Sequence, residues 1–189
     1  MVGRIIVSDN LSLDGVVQDP AGDEGWERGG WVGAITDRPD LGRLALDDAL
    51  GSDVLLMGRR TYEWFAGRWP SRIGPLADRL NGMAKVVVSS TLADPAWANT
   101  TVIGGDVLHE VTALKRRTRR DVLVTASALL VRALLEADLV DELRLKVFPV
   151  VLGDGQRLFG ATSVMKSMRL VDARCIDGDT AYLTYVRKD

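Results

Sequence analysis

The sequence predicts an α/β protein whose mainly parallel central sheet is flanked by helices and finished by an antiparallel C-terminal hairpin. Three observations carry that expectation. Four short apolar, β-branched runs each end in a polar or glycine-containing turn, the pattern of strands buried on both faces. Helical patterns with their own start signals separate the runs, and such alternation implies parallel strands joined by right-handed crossovers. After Asp141 the pattern changes to alternation and then to a hairpin.

The strands are expected at Arg4–Val7, Asp53–Met57, Lys85–Val88 and Asp121–Thr125. Leu41–Leu50 reads as a helix, with Asp40 as an N-cap candidate just after Pro39. Val107–Arg117 follows Asp106 and carries Leu108, Val111 and Leu114 at helical spacing. Ser127 can cap a third helix, where Leu129, Leu130, Ala133, Leu134 and Ala137 form one apolar stripe. Leu143, Leu145 and Val147 alternate with Arg144 and Lys146 before Pro149, which predicts a strand near an edge with one wetter face. Leu170–Ile176 and Thr180–Val186 form the arms of the hairpin, and Asp177-Gly178-Asp179 supplies turn residues that tolerate positive φ. No repeat, low-complexity tract or linker divides the 189 residues, so one domain with a full core is expected.

One connection is long. Residues 10–33 hold six glycines, five acidic residues and two tryptophans, Trp26 and Trp31, without a clear period. Long structureless loops in compact domains are usually functional or disordered, and tryptophans need something to pack on.

Composition narrows the chemistry. The single histidine, His109, and single cysteine, Cys175, starve a Cys/His zinc site, a disulfide framework and a multi-histidine relay of ligands, so no metal site is expected. A formal net charge of -2 with 26% charged residues gives no general affinity for nucleic acid, and the basic run Lys115–Arg120 reads as cations complementing a helix C-terminus. No stretch reaches the length of a membrane span or a secretory signal, so a cytoplasmic protein is expected.

In an open α/β sheet, ligands bind beyond the carboxyl ends of the strands. Three turns there are anion-friendly. Gly58-Arg59-Arg60-Thr61 combines a glycine, two forked donors, a hydroxyl and the start of a helix, the ingredients of a phosphate site. Ser89-Ser90-Thr91 ends the third strand, and Ala126-Ser127 opens a helix after the fourth. Each has a plainer reading as a tight turn or a helix cap. No GxGxxG follows the first strand, which disfavours a standard Rossmann dinucleotide site.

Ser12-Leu13-Asp14-Gly15, Leu56-Met57-Gly58-Arg59-Arg60-Thr61-Tyr62-Glu63, Lys85–Thr91, Leu134–Leu143 and the run Pro149–Phe159 share order and spacing with one family. On these motifs the chain resembles dihydrofolate reductase-like proteins, specifically the reductase domain of bacterial riboflavin-biosynthesis deaminase-reductases and their stand-alone relatives. The resemblance covers nearly the whole chain. It implies an NADPH-dependent oxidoreductase, similar to dihydrofolate reductase and to the 5-amino-6-(5-phosphoribosylamino)uracil reductases and often homodimeric, that passes a hydride to a small, pterin- or pyrimidine-like heterocycle.

By the same resemblance, Gly58, Arg59, Arg60 and Thr61 hold cofactor phosphates, Ser89, Ser90 and Thr91 lie near the adenosine phosphate, and Ser127 meets the pyrophosphate. Relatives usually carry glycine where this chain has Ala126, so a Cβ there would crowd the pyrophosphate or oppose a positive φ. That departure supports an alternative, a non-catalytic nucleotide- or metabolite-binding relative with a degenerated pyrophosphate turn. Asp40 stands where dihydrofolate reductases keep their substrate carboxylate, and Asp14 belongs to the motif near the nicotinamide, so these two are the candidate acids. Each also reads as a local cap or turn residue. Asp14, Trp26 and Trp31 are candidates for the substrate wall, the two indoles reading equally as a satellite core under the loop.

Overall fold

A computed structural model describes residues 2–33 and 38–188. Eight strands form one sheet in the order β4-β3-β2-β5-β1-β6-β8-β7. β1 (Ile5–Leu11), β2 (Ser52–Gly58), β3 (Ala84–Val88), β4 (Thr100–Ile103), β5 (Asp121–Val124) and β6 (Glu142–Val147) run parallel, so their carboxyl ends share one edge. β7 (Met168–Ile176) and β8 (Thr180–Arg187) form the antiparallel hairpin, with β8 joined to β6. The mainly parallel sheet with an antiparallel end is thus as expected from the sequence.

The strands are apolar because both faces are covered. On one face Ile5, Val7, Leu56, Val122 and Val124 pack against Val111 and Leu114 of α4 (Val107–Arg117) and Leu130, Val131 and Leu134 of α5 (Ala128–Glu136). On the other, Leu55, Met57, Val87 and Leu123 meet Ala49 of α1 (Pro39–Gly51), Tyr62 of α2 (Arg59–Ala66), Leu80 of α3 (Pro75–Gly82) and Trp97. Burying one such side chain contributes about 1.5–3 kcal/mol, so these two layers fix the sheet and the aligned turns at its edge.

Four expectations are corrected. β6 is not near an edge but lies between β1 and β8, and its apparently wet face is buried. Its charges are matched from elsewhere: Arg144 pairs with Asp48 of α1 at 2.6 Å and with Glu142 at 2.7 Å, and Lys146 donates to Ser8 at 2.6 Å. Asp40 is not the cap of α1. Pro39 takes the first helical position, and the amides of Asp40 and Leu41 donate to Asp177 of the hairpin turn at 2.9 and 3.1 Å, a cap supplied by the far end of the chain. Ser127 occupies the N-cap position of α5 without capping it, because its hydroxyl is engaged across the turn described below. β4 and α3 are additional to the elements read from the sequence. Asp106, by contrast, caps α4, accepting from the amide of His109, which is exposed on that helix.

Candidate active site

β2 and β5 are neighbours in the sheet, which brings the turns that follow them into contact. A directed chain of hydrogen bonds joins them. The Gly58 amide donates to Ser127 Oγ at 3.1 Å, Ser127 Oγ donates to Thr61 Oγ1 at 2.9 Å, and Thr61 Oγ1 donates to the Ala126 carbonyl at 2.7 Å. The Ala126 amide then donates to Asp9 Oδ1 at 2.9 Å, tying both turns to the end of β1. Successive donors of this kind polarise one another, so the arrangement is stiffer than its separate bonds.

The lock accounts for the conformation of Ala126. Its φ is +52°, a left-handed conformation that costs an L-residue about 1–2 kcal/mol and is held here by bonds to its own N–H and C=O. The turn therefore keeps the backbone shape a glycine would adopt. Thr61 and Ser127 are buried and spend their hydroxyls on the lock, so they shape the turn more than they face solvent.

Above the lock, two helix N-termini converge. Neither Gly58 at the start of α2 nor Ser127 at the start of α5 provides a side-chain acceptor for the first-turn amides, so those donors have no cap partner. Arg59 and Arg60 stand exposed beside them, Arg59 paired with Glu63 at 3.1 Å and Arg60 with Glu24 at 3.3 Å. Ser89-Ser90-Thr91 lies one strand further out. There Ser89 Oγ accepts from the amides of Thr91 and Leu92 at 3.1 and 2.9 Å, and Ser90 and Thr91 are exposed.

The long loop reaches the same edge. Buried Asp19 organises it, its carboxylate accepting from the amides of Gly22, Asp23, Glu24 and Trp26. Asp23 then accepts from Trp64 Nε1 at 2.8 Å and pairs with Arg68, and Glu24 pairs with Arg60, so the loop lies over α2. Trp26 packs on the segment 148–158, where a Cβ on Gly155 would stand 2.8 Å from its ring. Trp31 is buried, edge-on to Phe148 at 5.5 Å, with its indole N–H donating to the Gln18 carbonyl at 2.9 Å.

Asp14 joins the loop to segment 148–158, accepting from Ser12 Oγ at 2.7 Å and from the amides of Leu152 and Gly153 at 3.1 and 2.8 Å. These donors hold its carboxyl well below the usual range, at about 2. Asp40 sits apart from the three turns, its carboxylate bonded to Arg43 at 2.7 Å and to the Asp177 amide at 3.3 Å. Thus Gly58, Thr61 and Ser127 come together, Arg59 and Arg60 flank them, and Asp40 does not join them.

Sequence reasoning missed Asp9. It is 5% exposed; its Oδ2 has no partner among the described residues, and burial pushes its carboxyl up to about 6. The available signal was a carboxylate just beyond the apolar Ile5-Ile6-Val7, in a strand that continues to Leu11. Asn10, on the opposite face of β1, likewise buries an unpartnered Oδ1.

Residues 4–182 match the model of the RibD C-terminal domain family. The chain belongs to that family. Among curated proteins this RibD C-terminal domain is 27% identical over 187 residues to the uncharacterized protein YyaP of Bacillus subtilis, covering 96% of this chain and 94% of that one. Among solved structures it resembles a putative riboflavin biosynthesis protein from Shewanella sp. PV-4, with a TM-score of 0.76, 23% identity and full coverage of both chains. It also resembles dihydrofolate reductase from Enterococcus faecalis complexed with NADP(H) and RAB-propyl, with a TM-score of 0.62, 17% identity and coverage of 100% and 99%. The RibD of Acinetobacter baumannii matches over 99% of this chain but 58% of its own, with a TM-score of 0.69 and 17% identity. The fold is therefore that of dihydrofolate reductase. No described helix is long and apolar enough to cross a membrane.

Proposed function

We propose that the protein is an NADPH-dependent reductase that transfers a hydride to a small heterocyclic substrate of the pterin or pyrimidine kind. One observation carries the reading: the locked pair of turns presents the free first-turn amides of α2 and α5 together, flanked by Arg59 and Arg60, at the carboxyl edge of a parallel sheet. Such an edge suits a pyrophosphate, and the arginines suit a further ribose phosphate. When bound, the dinucleotide supplies the hydride.

The chain's own residues seat, orient and shield. In this reading the α2 and α5 amides and the Gly58–Thr61 turn hold the pyrophosphate, and the exposed Arg60 and Ser89–Thr91 take the adenosine phosphate. The loop of residues 10–33, stiffened by Asp19, walls the reacting end with Trp26, while Trp31 anchors the wall by its burial against Phe148. Asp14 shapes that wall and carries no proton near neutrality. The reading extends to a homodimer, for which the open outer edge of β7, with Leu170 and Val171 exposed, offers a pairing surface.

The alternative of a non-catalytic binder drew its support from Ala126. That support weakens because the alanine keeps the left-handed turn. Titration with NADPH, followed by nicotinamide fluorescence and melting temperature, is expected to saturate below millimolar concentration. No response at millimolar NADPH refutes the reading, and an equal loss of NADPH and NADH affinity in Arg60→Ala refutes the ribose-phosphate assignment.

A further inference from the structure

Asp9 raises a question that the phosphate assignment leaves open. A carboxylate two residues before the end of β1 holds a turn that would face an anion, yet a second negative charge there opposes binding. Its Oδ1 holds the Ala126 amide at 2.9 Å, and its Oδ2, buried, has no partner among the described residues. The surroundings provide little to stabilise a charge. Thr61, Ala126 and Ser127 come from α2 and the β5–α5 turn, and none of them titrates. The charged neighbour is Lys146 of β6, whose side chain lies on the other face of the sheet and is already engaged with Ser8. Desolvation is the larger effect, and it favours the neutral acid.

Resting on the reading above, we propose that Asp9 is a positioning residue whose protonation is coupled to anion binding: the neutral acid still accepts from the Ala126 amide through one oxygen, so it holds the left-handed turn without repelling the anion. Seating a pyrophosphate over the turn then draws one proton from solvent onto Asp9 Oδ2. No bond within the ligand changes. In this chain the carboxyl also does conformational work that a glycine at 126 would not need, since it pins an alanine at φ +52°.

The sign follows from linkage. A ligand that prefers the protonated form raises the acid's pKa, so affinity is level below the ligand-free value, which lies at about 6, and declines above it. The decline is at most tenfold per pH unit, for one proton. ADP-ribose is the appropriate probe because it carries the pyrophosphate without the 2′-phosphate, whose own titration falls in the same window.

The experiment is calorimetric titration of the full chain with ADP-ribose at pH 7 in two buffers of different ionisation enthalpy, beside NADPH binding followed by fluorescence. Wild type is expected to take up a large fraction of one proton, and Asp9→Asn, which keeps an oxygen for the Ala126 amide, to take up none while still binding. Equal uptake in both proteins, or none in wild type, overturns the proposal although the cofactor reading stands. Failure of both ligands to bind overturns the cofactor reading instead. In that event the Ala126 amide resonance of the ligand-free protein decides the positioning role: a titration near pH 6 that Asp9→Asn abolishes supports it, and a flat profile sinks it.

Discussion

Replacing Ala126 by glycine tests the strain assigned to the turn. Its φ of +52° costs an L-residue about 1–2 kcal/mol. Glycine removes that cost but enlarges the conformational freedom of the unfolded chain, an offset of about 0.4–1 kcal/mol. The contacts of Ala126 to Asp9 and Thr61 run through its backbone N–H and C=O, so the substitution leaves them in place. The balance is a stabilisation of up to about 1.6 kcal/mol, centred near about 0.8 kcal/mol, which for a chain of this size raises Tm by up to about 6 °C. Urea unfolding at an unchanged slope and scanning calorimetry measure it. A fall in Tm would refute the argument, because it would mean that the alanine methyl packs usefully or that the turn is unstrained. The same variant reports on the cofactor: since the alanine already has the glycine-like backbone, NADPH affinity is expected to change by no more than about threefold, or about 0.7 kcal/mol. A tightening of tenfold or more would show that the methyl crowds the phosphate and would revive the non-catalytic reading.

Asp14→Asn is expected to flatten the acid limb of stability. With its pKa depressed to about 2, Asp14 contributes stability that is fully present above the unfolded value near 4 and is lost as pH falls through 2; matching urea midpoints for wild type and variant between pH 2 and 5 would contradict this. Trp31→Ala should cost about 3–5 kcal/mol in urea unfolding, as for a buried indole, and a loss below about 1 kcal/mol would show that the ring is no part of the core. Glu24→Gln frees Arg60 from an exposed ion pair worth about 0.2–1 kcal/mol, so NADPH should bind up to about fivefold more tightly with NADH unchanged. Weaker NADPH binding in that variant would place the Arg60 guanidinium away from the phosphate.

The sheet was legible where burial is continuous. Ile5–Val7, Val54–Met57 and Val86–Val87 are apolar on both faces, and the start of α4 follows a local rule, with Asp106 as its cap. β4 was not legible because it is four residues long and begins with two threonines, and α3 is a short helix opened by Pro75. The wetter face assigned to β6 shows a deeper limit: alternation reveals that Arg144 and Lys146 share a face, but not that Asp48 and Ser8, far away in sequence, wait there to pair with them. The site divides in the same way. Local composition marks Gly58–Thr61 and Ala126-Ser127 as turns at a common edge, whereas the commitment of their hydroxyls to each other spans 66 residues and exists only in three dimensions. Asp9 escaped notice because the strand expected at Arg4–Val7 stops short of it, and in the polar run Ser8-Asp9-Asn10 a single carboxylate looks solvated until its neighbours are known.

The order of the sheet also constrains how the chain can assemble as it is made. β1 emerges from the ribosome first, yet both its neighbours come late: Ile5 pairs with Val122 of β5, and Leu11 with Val147 of β6. At about 5–20 residues per second, this strand spends roughly 6–24 s without either partner. α1 waits longer still, because Asp177 supplies its cap. The apolar Ile5-Ile6-Val7 start of β1 therefore stays unpaired until β5 has been made, and the central sheet closes only once β6 has followed it.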